Sequence, residues 1–175
     1  MQKFVAISGC SGGGKSTLLA ELSRRGFVVV AEPGRRIIAD ERARAGDALP
    51  WVDGAAFARR AIAMSLADRA AAEAVPGPIF FDRGLVDAAA ALEHLTGEPA
   101  VEAYGREHRY NRHVFLAPPW PELYAGDDDR RHGLAEAIAE YDRLMVAFGR
   151  LDYDICILPK TSVVERADFI LSKLA

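Results

Sequence analysis

The sequence predicts an α/β fold built on a parallel sheet with helices on both faces. Apolar runs of strand length alternate along the chain with longer segments of helical periodicity, and this alternation is typical of a parallel sheet covered on both sides. Half of the 175 residues are apolar, so a core can be buried without disulfides or metals. We therefore expect one domain spanning residues 1–175.

The elements are predicted in the following order. Strands are expected at Lys3–Ser8, Phe27–Ala31, Pro78–Phe81, Arg112–Ala117 and Tyr153–Leu158. Helices are expected at Lys15–Arg24, Trp51–Ala74, Leu85–Leu95, Leu134–Gly149 and Ser162–Leu174. A glycine in the C-terminal capping position ends the first helix, and a Pro-Gly-Pro run stops the second.

Charge and composition exclude several classes of protein. The formal net charge of -3, from 22 basic and 25 acidic residues, gives no broad positive field for nucleic acid. The first apolar run is too short for a signal peptide or a membrane span. Cys10 and Cys156 follow no metal or disulfide spacing. We expect a cytoplasmic protein that binds neither nucleic acid nor membrane.

The strongest motif follows the first predicted strand. Gly9-Cys10-Ser11-Gly12-Gly13-Gly14-Lys15-Ser16 matches the phosphate-binding pattern G-x-x-x-x-G-K-[ST] and continues into Thr17. Glycines let backbone N–H groups approach phosphate oxygens, and the next helix directs its positive end there. We expect these nine residues to bind a nucleotide, with Lys15 on the β and γ phosphates and Ser16 on Mg²⁺. The alternative is a flexible Gly-rich turn.

Two carboxylates follow predicted strands at the edge where α/β proteins bind ligands. Asp82, followed by Arg83, is expected to meet Mg²⁺ directly or through a water, unless it only caps a helix. Glu32 is followed by Arg35, Arg36 and the start of a helix. It is a candidate base for an acceptor hydroxyl, with the arginines holding an anionic group. The alternative is a solvated acid paired with those arginines.

Other side chains are candidates for the acceptor site. Asp87 lies four residues after Arg83, so one helical turn brings it toward the same region. It either binds a sugar hydroxyl or faces solvent. Trp51 and Phe57 either stack on a planar ring or belong to the core.

A proline-rich and charged segment interrupts the regular pattern at about residues 118–132. Pro118–Pro121 cannot extend a strand, and a run of charges follows it. We expect a lid whose Arg130 and Arg131 stabilise charge on the transferred phosphate. The alternative is a solvated cluster in which these arginines pair with the neighbouring aspartates.

Together these motifs resemble the P-loop small-molecule kinases and, within them, the AAA_28 group, which includes relatives of the ribosylnicotinamide kinase domain. Deoxynucleoside kinases are similar at the Glu-Pro and Asp-Arg steps. The resemblance rests on the phosphate loop and on Glu32–Arg35, Phe81–Asp87, Val114–Leu116, Asp129-Arg130, Tyr141 and Ile157–Pro159. It implies a three-layer P-loop NTPase fold, with a five-stranded parallel sheet in the order 2-3-1-4-5 and a lid over ATP. It also implies that Glu32 is the base and Asp82 the metal partner.

The predicted function is transfer of the γ-phosphate of ATP, with Mg²⁺, to a small metabolite such as a nucleoside or a ribosylnicotinamide-like acceptor. The predicted catalytic residues are Lys15, Glu32, Asp82, Arg83, Arg130 and Arg131. The alternative is a switch or sensor that hydrolyses ATP or GTP and acts through a protein partner. Leu158–Thr161 lacks the Asp of a guanine-binding Asn/Thr-Lys-x-Asp motif, which favours ATP and a kinase. The acceptor and the oligomeric state stay open.

Overall fold

The computed structural model describes residues 3–123 and 133–174. The strands are β1 (Phe4–Gly9), β2 (Val28–Val30), β3 (Ile79–Asp82), β4 (His113–Ala117) and β5 (Asp154–Ile157). The helices are α1 (Lys15–Arg24), α2 (Pro33–Arg44), α3 (Gly54–Ala72), α4 (Leu85–Thr96), α5 (Ala100–Gly105), α6 (Leu134–Arg150) and α7 (Val163–Leu174). A short 3₁₀ turn, Pro121–Leu123, follows β4.

The strands form one parallel sheet in the order β2-β3-β1-β4-β5. The predicted fold class and the strand order are confirmed. Ile7 of β1 pairs with Asp82 of β3 on one side and with Phe115 of β4 on the other. This register brings the phosphate loop after β1 beside the carboxylate that ends β3.

Two buried clusters, one on each face of the sheet, hold the helices in place. Successive residues of a strand point to opposite faces. Phe4 and Ala6 accordingly join a cluster with residues of α2 through α6, whereas Val5 and Ile7 pack with α1 and α7. Helices therefore cover both faces, as predicted.

Apart from shifts of one or two residues at their ends, the helices differ from the prediction at three places. The sequence indicated only a helix start near Glu32, whereas α2 continues to Arg44; its charged sequence gives little apolar periodicity, and Ile37 and Ile38 are its buried aliphatic residues. The short helix α5 was not predicted. Helix α3 begins at Gly54 instead of Trp51, because the side chain of Asp53 accepts a hydrogen bond from the N–H of Ala56 and caps the helix. Among the helices of residues 3–123 and 133–174, none has the length and apolar character needed to cross a membrane.

Candidate active site

The phosphate loop has the backbone conformation that its glycines were predicted to permit. Gly9 has a φ of 111° and Gly14, which precedes α1, has a φ of 74°, values that residues with a Cβ rarely adopt. A Cβ at Gly9 would also collide with the backbone of Ala117. The N–H of Cys10 donates to the Ala117 carbonyl at 2.8 Å, which fastens the loop to β4. The side chain of Cys10 is fully buried, so this residue presents no side chain to a ligand.

Lys15 is folded back against the loop that carries it. Its ammonium group donates to the carbonyl of Cys10 at 2.9 Å, and the residue is 8 % exposed. Burial, with a further contribution from the charge of Arg83, lowers the pKa of Lys15 to about 8. Within residues 3–123 and 133–174 this buried ammonium forms no ion pair with a carboxylate, so it is suited to receive an anion.

The phosphate loop opens into a cleft of about 930 Å³. Of the predicted nucleotide-binding residues, Ser11, Gly12, Gly14, Lys15, Ser16 and Thr17 line this cleft. Glu32, Arg35, Asp82, Arg83 and Asp87 line the same cleft. The strand ends and the loop therefore bring together, at one edge of the sheet, most of the side chains that the sequence singled out and that the structure describes.

Asp82 has an unsatisfied oxygen in this cleft. Its Oδ1 is buried and has no hydrogen-bond partner among the described residues. Burial, followed by the charge of Glu32, raises the pKa of Asp82, while Lys15 and Arg83 oppose that rise. A buried carboxylate oxygen without a donor has the chemistry of a cation ligand. Asp82 and the hydroxyl of Ser16, which is an exposed residue, would therefore suit the binding of a magnesium ion.

No protein-only metal cluster is present in the described ranges, where no group of three or more His, Cys, Asp or Glu residues is arranged to hold an ion. Mg²⁺ usually binds proteins through one or two side chains and keeps waters or phosphate oxygens as its other ligands. A site formed by Ser16 and Asp82 matches that pattern.

Arg83 is surrounded by three carboxylates from three different elements. Its Nη1 lies 2.9 Å from Oε1 of Glu140 and 3.4 Å from Oδ1 of Asp87, and its Nε lies 3.5 Å from Oε1 of Glu32. Burial opposes the charged form, but the carboxylates, Glu140 first, raise the pKa of Arg83 on balance. The backbone of Arg83 has a φ of 58°, in the left-handed region that costs about 1 kcal/mol for a residue with a Cβ. This conformation directs the guanidinium into the carboxylate cluster.

Glu32 is held by two arginines at the start of α2. Its Oε2 accepts a hydrogen bond from Nε of Arg35 at 3.2 Å, and its other oxygen faces Arg83. The carboxylate is 25 % exposed, so it is ordered by its partners and still reaches the cleft. A carboxylate in this state can accept a proton from a bound hydroxyl.

The side chain of Asp87 does not face solvent, which was one of the two alternatives predicted for it. It is nearly buried, it accepts a hydrogen bond from the hydroxyl of Ser8, and it pairs with Arg83. Burial raises the pKa of Asp87 to about 6, although Arg83 and Ser8 oppose the rise. Asp87 lines the cleft from a fixed position.

The remaining acceptor candidates separate into residues inside and outside the cleft. Phe57 lines it, whereas Trp51 lies outside the lining and faces the Arg42 guanidinium, whose Cζ is 5.6 Å from the ring centroid. Arg36 also lies outside the lining, because its Nη1 pairs with Oδ2 of Asp68 at 2.7 Å. The position of Arg36 therefore gives no support to the acceptor role predicted for it.

The predicted lid lies mostly outside the described residues. Arg130 and Arg131, with the rest of 124–132, fall there, so their predicted roles stay predictions. Strand β4 ends at Ala117, immediately before the proline-rich segment, as expected from the inability of proline to extend a central strand.

Two site residues were missed by the sequence reasoning. Glu140 of α6 contacts Arg83, and Arg166 of α7 contacts the phosphate loop. Glu140 carries no local signal on its helix. Arg166 shares the buried stripe of α7 with Ala167 and Ile170, and a charge inside an apolar stripe was the available sign of a buried polar contact.

Comparison with known proteins assigns the chain to a family. The model of the AAA_28 family, described as an AAA domain, matches residues 4–166. A comparison with curated protein sequences finds no match.

Solved structures show the same fold at low identity. A deoxyadenosine kinase from M. mycoides with bound dATP is 16 % identical, covers 98 % of both chains and has a TM-score of 0.66. A shikimate kinase from Acinetobacter baumannii in complex with shikimate is 13 % identical, covers 99 % of this chain and 93 % of its own, and has a TM-score of 0.59.

Proposed function

This chain belongs to the AAA_28 family, and we propose that it is an ATP-dependent kinase that transfers the γ-phosphoryl group to a hydroxyl of a small metabolite. The whole chain, 1–175, would act as one nucleotide-binding domain. Nucleosides and ribosylnicotinamide-like compounds are the proposed acceptors. The free cysteines Cys10 and Cys156 suit a proposed cytoplasmic location.

The observation that carries the proposal is that one cleft joins a phosphate loop to an apolar chamber. Besides the polar His94, Glu136 and Arg143, the cleft lining includes apolar residues of α2, α3, α4 and α6: Ile38, Phe57, Ala58, Ala61, Ala88, Ala91, Leu95 and Leu144. A protein that only hydrolyses a nucleotide needs no such chamber, whereas a protein that also binds an organic acceptor does. The chamber therefore favours a kinase over a switch.

Glu32 and Phe57 are arranged to hold the two ends of such an acceptor. A Cβ placed on Gly34 would lie 3.2 Å from Cζ of Phe57 and 3.5 Å from Oε1 of Glu32, so the ring and the carboxylate flank the same short stretch of α2. An apolar or aromatic group packed near Phe57 would bring a neighbouring hydroxyl toward Glu32.

In the proposed reaction the acceptor hydroxyl oxygen forms a bond to the γ-phosphorus, the bond from that phosphorus to the β–γ bridging oxygen breaks, and ADP leaves. The carboxylate of Glu32 accepts the hydroxyl proton. Lys15 donates to the β and γ phosphate oxygens. Arg83 orients Glu32 and offsets negative charge beside it.

Ser16 and Asp82 are the residues proposed to hold Mg²⁺ with the nucleotide. When bound, the ion supplies positive charge that offsets the charge of the phosphate oxygens. Asp82 supplies the unsatisfied oxygen described above, and Ser16 supplies a hydroxyl at the start of α1.

The solved enzymes with this fold support the substrate class. Their names are those of a deoxyadenosine kinase and a shikimate kinase, and both names denote kinases of small metabolites. At 16 % and 13 % identity these enzymes share the fold, and the acceptor of this chain must be found by experiment.

The test is ADP formation from ATP and Mg²⁺ with a panel of nucleosides, ribosylnicotinamide and other hydroxyl metabolites, each compared with an acceptor-free blank. The proposal predicts one acceptor or a group of related acceptors that raises ADP formation well above the blank. If ATP binds and slow hydrolysis is unchanged by every acceptor, the protein is better explained as a nucleotide switch.

A further inference from the structure

Arg166 of α7 lies behind the phosphate loop and bonds to its backbone. Its Nη2 donates to the carbonyl of Gly13 at 2.9 Å and its Nη1 to the carbonyl of Gly14 at 3.3 Å. The residue is 1 % exposed. The guanidinium of a residue in α7 therefore holds two consecutive peptide groups of the phosphate loop, which lies near the N-terminus of the chain.

The charge of Arg166 is not neutralised by the part of the protein that the structure describes. Within residues 3–123 and 133–174, Arg166 forms no ion pair with a carboxylate, and its buried Nε has no hydrogen-bond partner. The ring of Trp120 provides a partial substitute, with its centroid 5.6 Å from Cζ. Burial lowers the pKa of Arg166, as expected of a cation without a counterion.

Buried charges are normally paired, because an unpaired charge in a protein interior is costly. The position of Arg166 indicates where a counter-charge belongs. The carbonyl of Gly13 shares its peptide group with the N–H of Gly14, and the carbonyl of Gly14 shares its own with the N–H of Lys15. These N–H groups stand at the start of α1, where a helix offers donors without intrahelical partners.

A hydrogen bond to a peptide oxygen polarises the peptide and makes its N–H a stronger donor. We propose that Arg166 is a positioning residue for the nucleotide phosphates: it fixes the Gly13 and Gly14 peptides, strengthens their N–H donors, and has its charge compensated when phosphate binds. The inference rests on the proposed binding of a nucleotide at the loop, and it assigns Arg166 a function outside the motif that contains Lys15.

The proposal makes the nucleotide-bound protein depend on Arg166 more than the free protein does. Removing the guanidinium takes away two hydrogen bonds but also removes a buried, uncompensated charge, and these effects oppose each other in the free protein. In the complex only losses remain, since the phosphates lose a positive field and their donors are weakened. A purely structural arginine would instead affect the two states alike.

The experiment measures the Kd of Mg-ADP by isothermal titration calorimetry, and the free energy of unfolding without nucleotide, for the unaltered protein, Arg166→Gln and Arg166→Lys. Gln keeps donors without charge and Lys keeps the charge. We expect Arg166→Gln to raise the Kd about tenfold or more and Arg166→Lys to raise it less than about threefold. Arg25→Gln is the matched control, because Arg25 pairs with Glu21 and with Asp168 of α7, away from the loop, and its Kd should not change.

Several results would overturn the inference. The Gln variant could bind Mg-ADP as tightly as the unaltered protein, or Gln and Lys could weaken binding equally, which would show that the charge is not the agent. A Gln variant that fails to fold without nucleotide would make Arg166 a structural residue. If the unaltered protein does not bind Mg-ADP at all, the proposed function of the loop fails instead.

Discussion

Glu32 and Arg83 follow two different strands, yet Nε of Arg83 lies 3.5 Å from Oε1 of Glu32. Their strands, β2 and β3, are neighbours in the sheet, so the two residues meet at its carboxyl edge. The guanidinium keeps the carboxylate ordered and directed into the cleft. We propose that this edge is one site that binds a nucleotide at the loop and an acceptor at Glu32.

If Glu32 is the base, replacing it should slow phosphoryl transfer without changing nucleotide binding. Glu32→Gln should leave the Kd of Mg-ADP nearly unchanged and lower kcat by about 10²-fold or more, because it removes a proton acceptor at the reacting oxygen. Turnover with the acceptor found in the panel, together with calorimetric binding of Mg-ADP, measures both quantities.

Glu98→Gln is the control for this variant, since Glu98 is exposed and pairs with Arg59 away from the cleft. Its kcat should equal that of the unaltered protein. Full turnover by Glu32→Gln would move the base to another residue, with Asp82 the next candidate.

The lowered pKa of Lys15 predicts that the protein takes up protons when it binds a nucleotide. Its pKa of about 8 leaves part of the amino groups uncharged at pH 8, and bound phosphates favour the charged form. Mg-ADP binding at pH 8 should therefore take up about half a proton. Calorimetry in buffers of different ionisation enthalpy measures this number.

Lys15→Met should abolish that uptake and weaken Mg-ADP binding about tenfold or more. Lys173→Met, which changes an outlying lysine of α7, should leave both the uptake and the Kd unchanged. Unchanged affinity in Lys15→Met would contradict the assignment of the phosphate loop.

Replacing Asp82 should have opposite effects on the protein with and without Mg²⁺. Asp82→Asn should raise the Mg²⁺ concentration for half-maximal turnover about tenfold. Without Mg²⁺ the same variant should bind ADP at least as tightly as the unaltered protein, because a negative charge near the phosphates is gone. Metal titrations of turnover and metal-free calorimetry provide the two measurements.

Asp154→Asn is the control for Asp82, since Asp154 stands at the opposite end of the sheet and pairs with Arg112. An Asp82→Asn variant with an unchanged Mg²⁺ requirement would remove Asp82 from the metal site.

Asp87 predicts a pH-dependent contribution to stability. Its pKa is about 6 in the folded protein, against 3.8 as its ordinary value. Between these pH values the folded protein binds more protons at this site than the unfolded chain, so its contribution is fully present below about pH 4 and is lost as the pH rises through about 6. The difference in unfolding free energy between the unaltered protein and Asp87→Asn should therefore fall from pH 4 to pH 7.

Urea unfolding of both proteins at several pH values measures this difference, which isolates Asp87 from other titrating groups. A difference that rises over the same range would mean that the ion pair with Arg83 outweighs the burial of the carboxylate.

The parts of the site that could be predicted from sequence are local or follow directly from strand order. The phosphate loop is a continuous motif, and Asp82 and Glu32 stand where strands end, at the edge where parallel strands of this fold bind ligands. Side-chain direction could not be predicted in the same way. Arg35 and Arg36 are adjacent, but consecutive helical residues point about 100° apart, so Arg35 meets Glu32 while Arg36 meets Asp68.

Contacts between distant segments were beyond the reach of local motifs. Glu140 and Arg166 join the site through the packing of α6 and α7 against the sheet, which no spacing in the sequence reveals. Helix α2 was underestimated for a related reason. Half of its residues are charged, so the sequence shows little apolar periodicity, and only a small apolar face around Ile37 packs against the core.

The most direct test of the central claim follows the label from γ-labelled ATP when the protein, Mg²⁺ and the best acceptor of the panel are mixed. The kinase account predicts that the label appears in the acceptor in step with ADP, and that Glu32→Gln reduces this transfer. Recovery of the label only as inorganic phosphate, at a rate that the acceptor does not change, would contradict it.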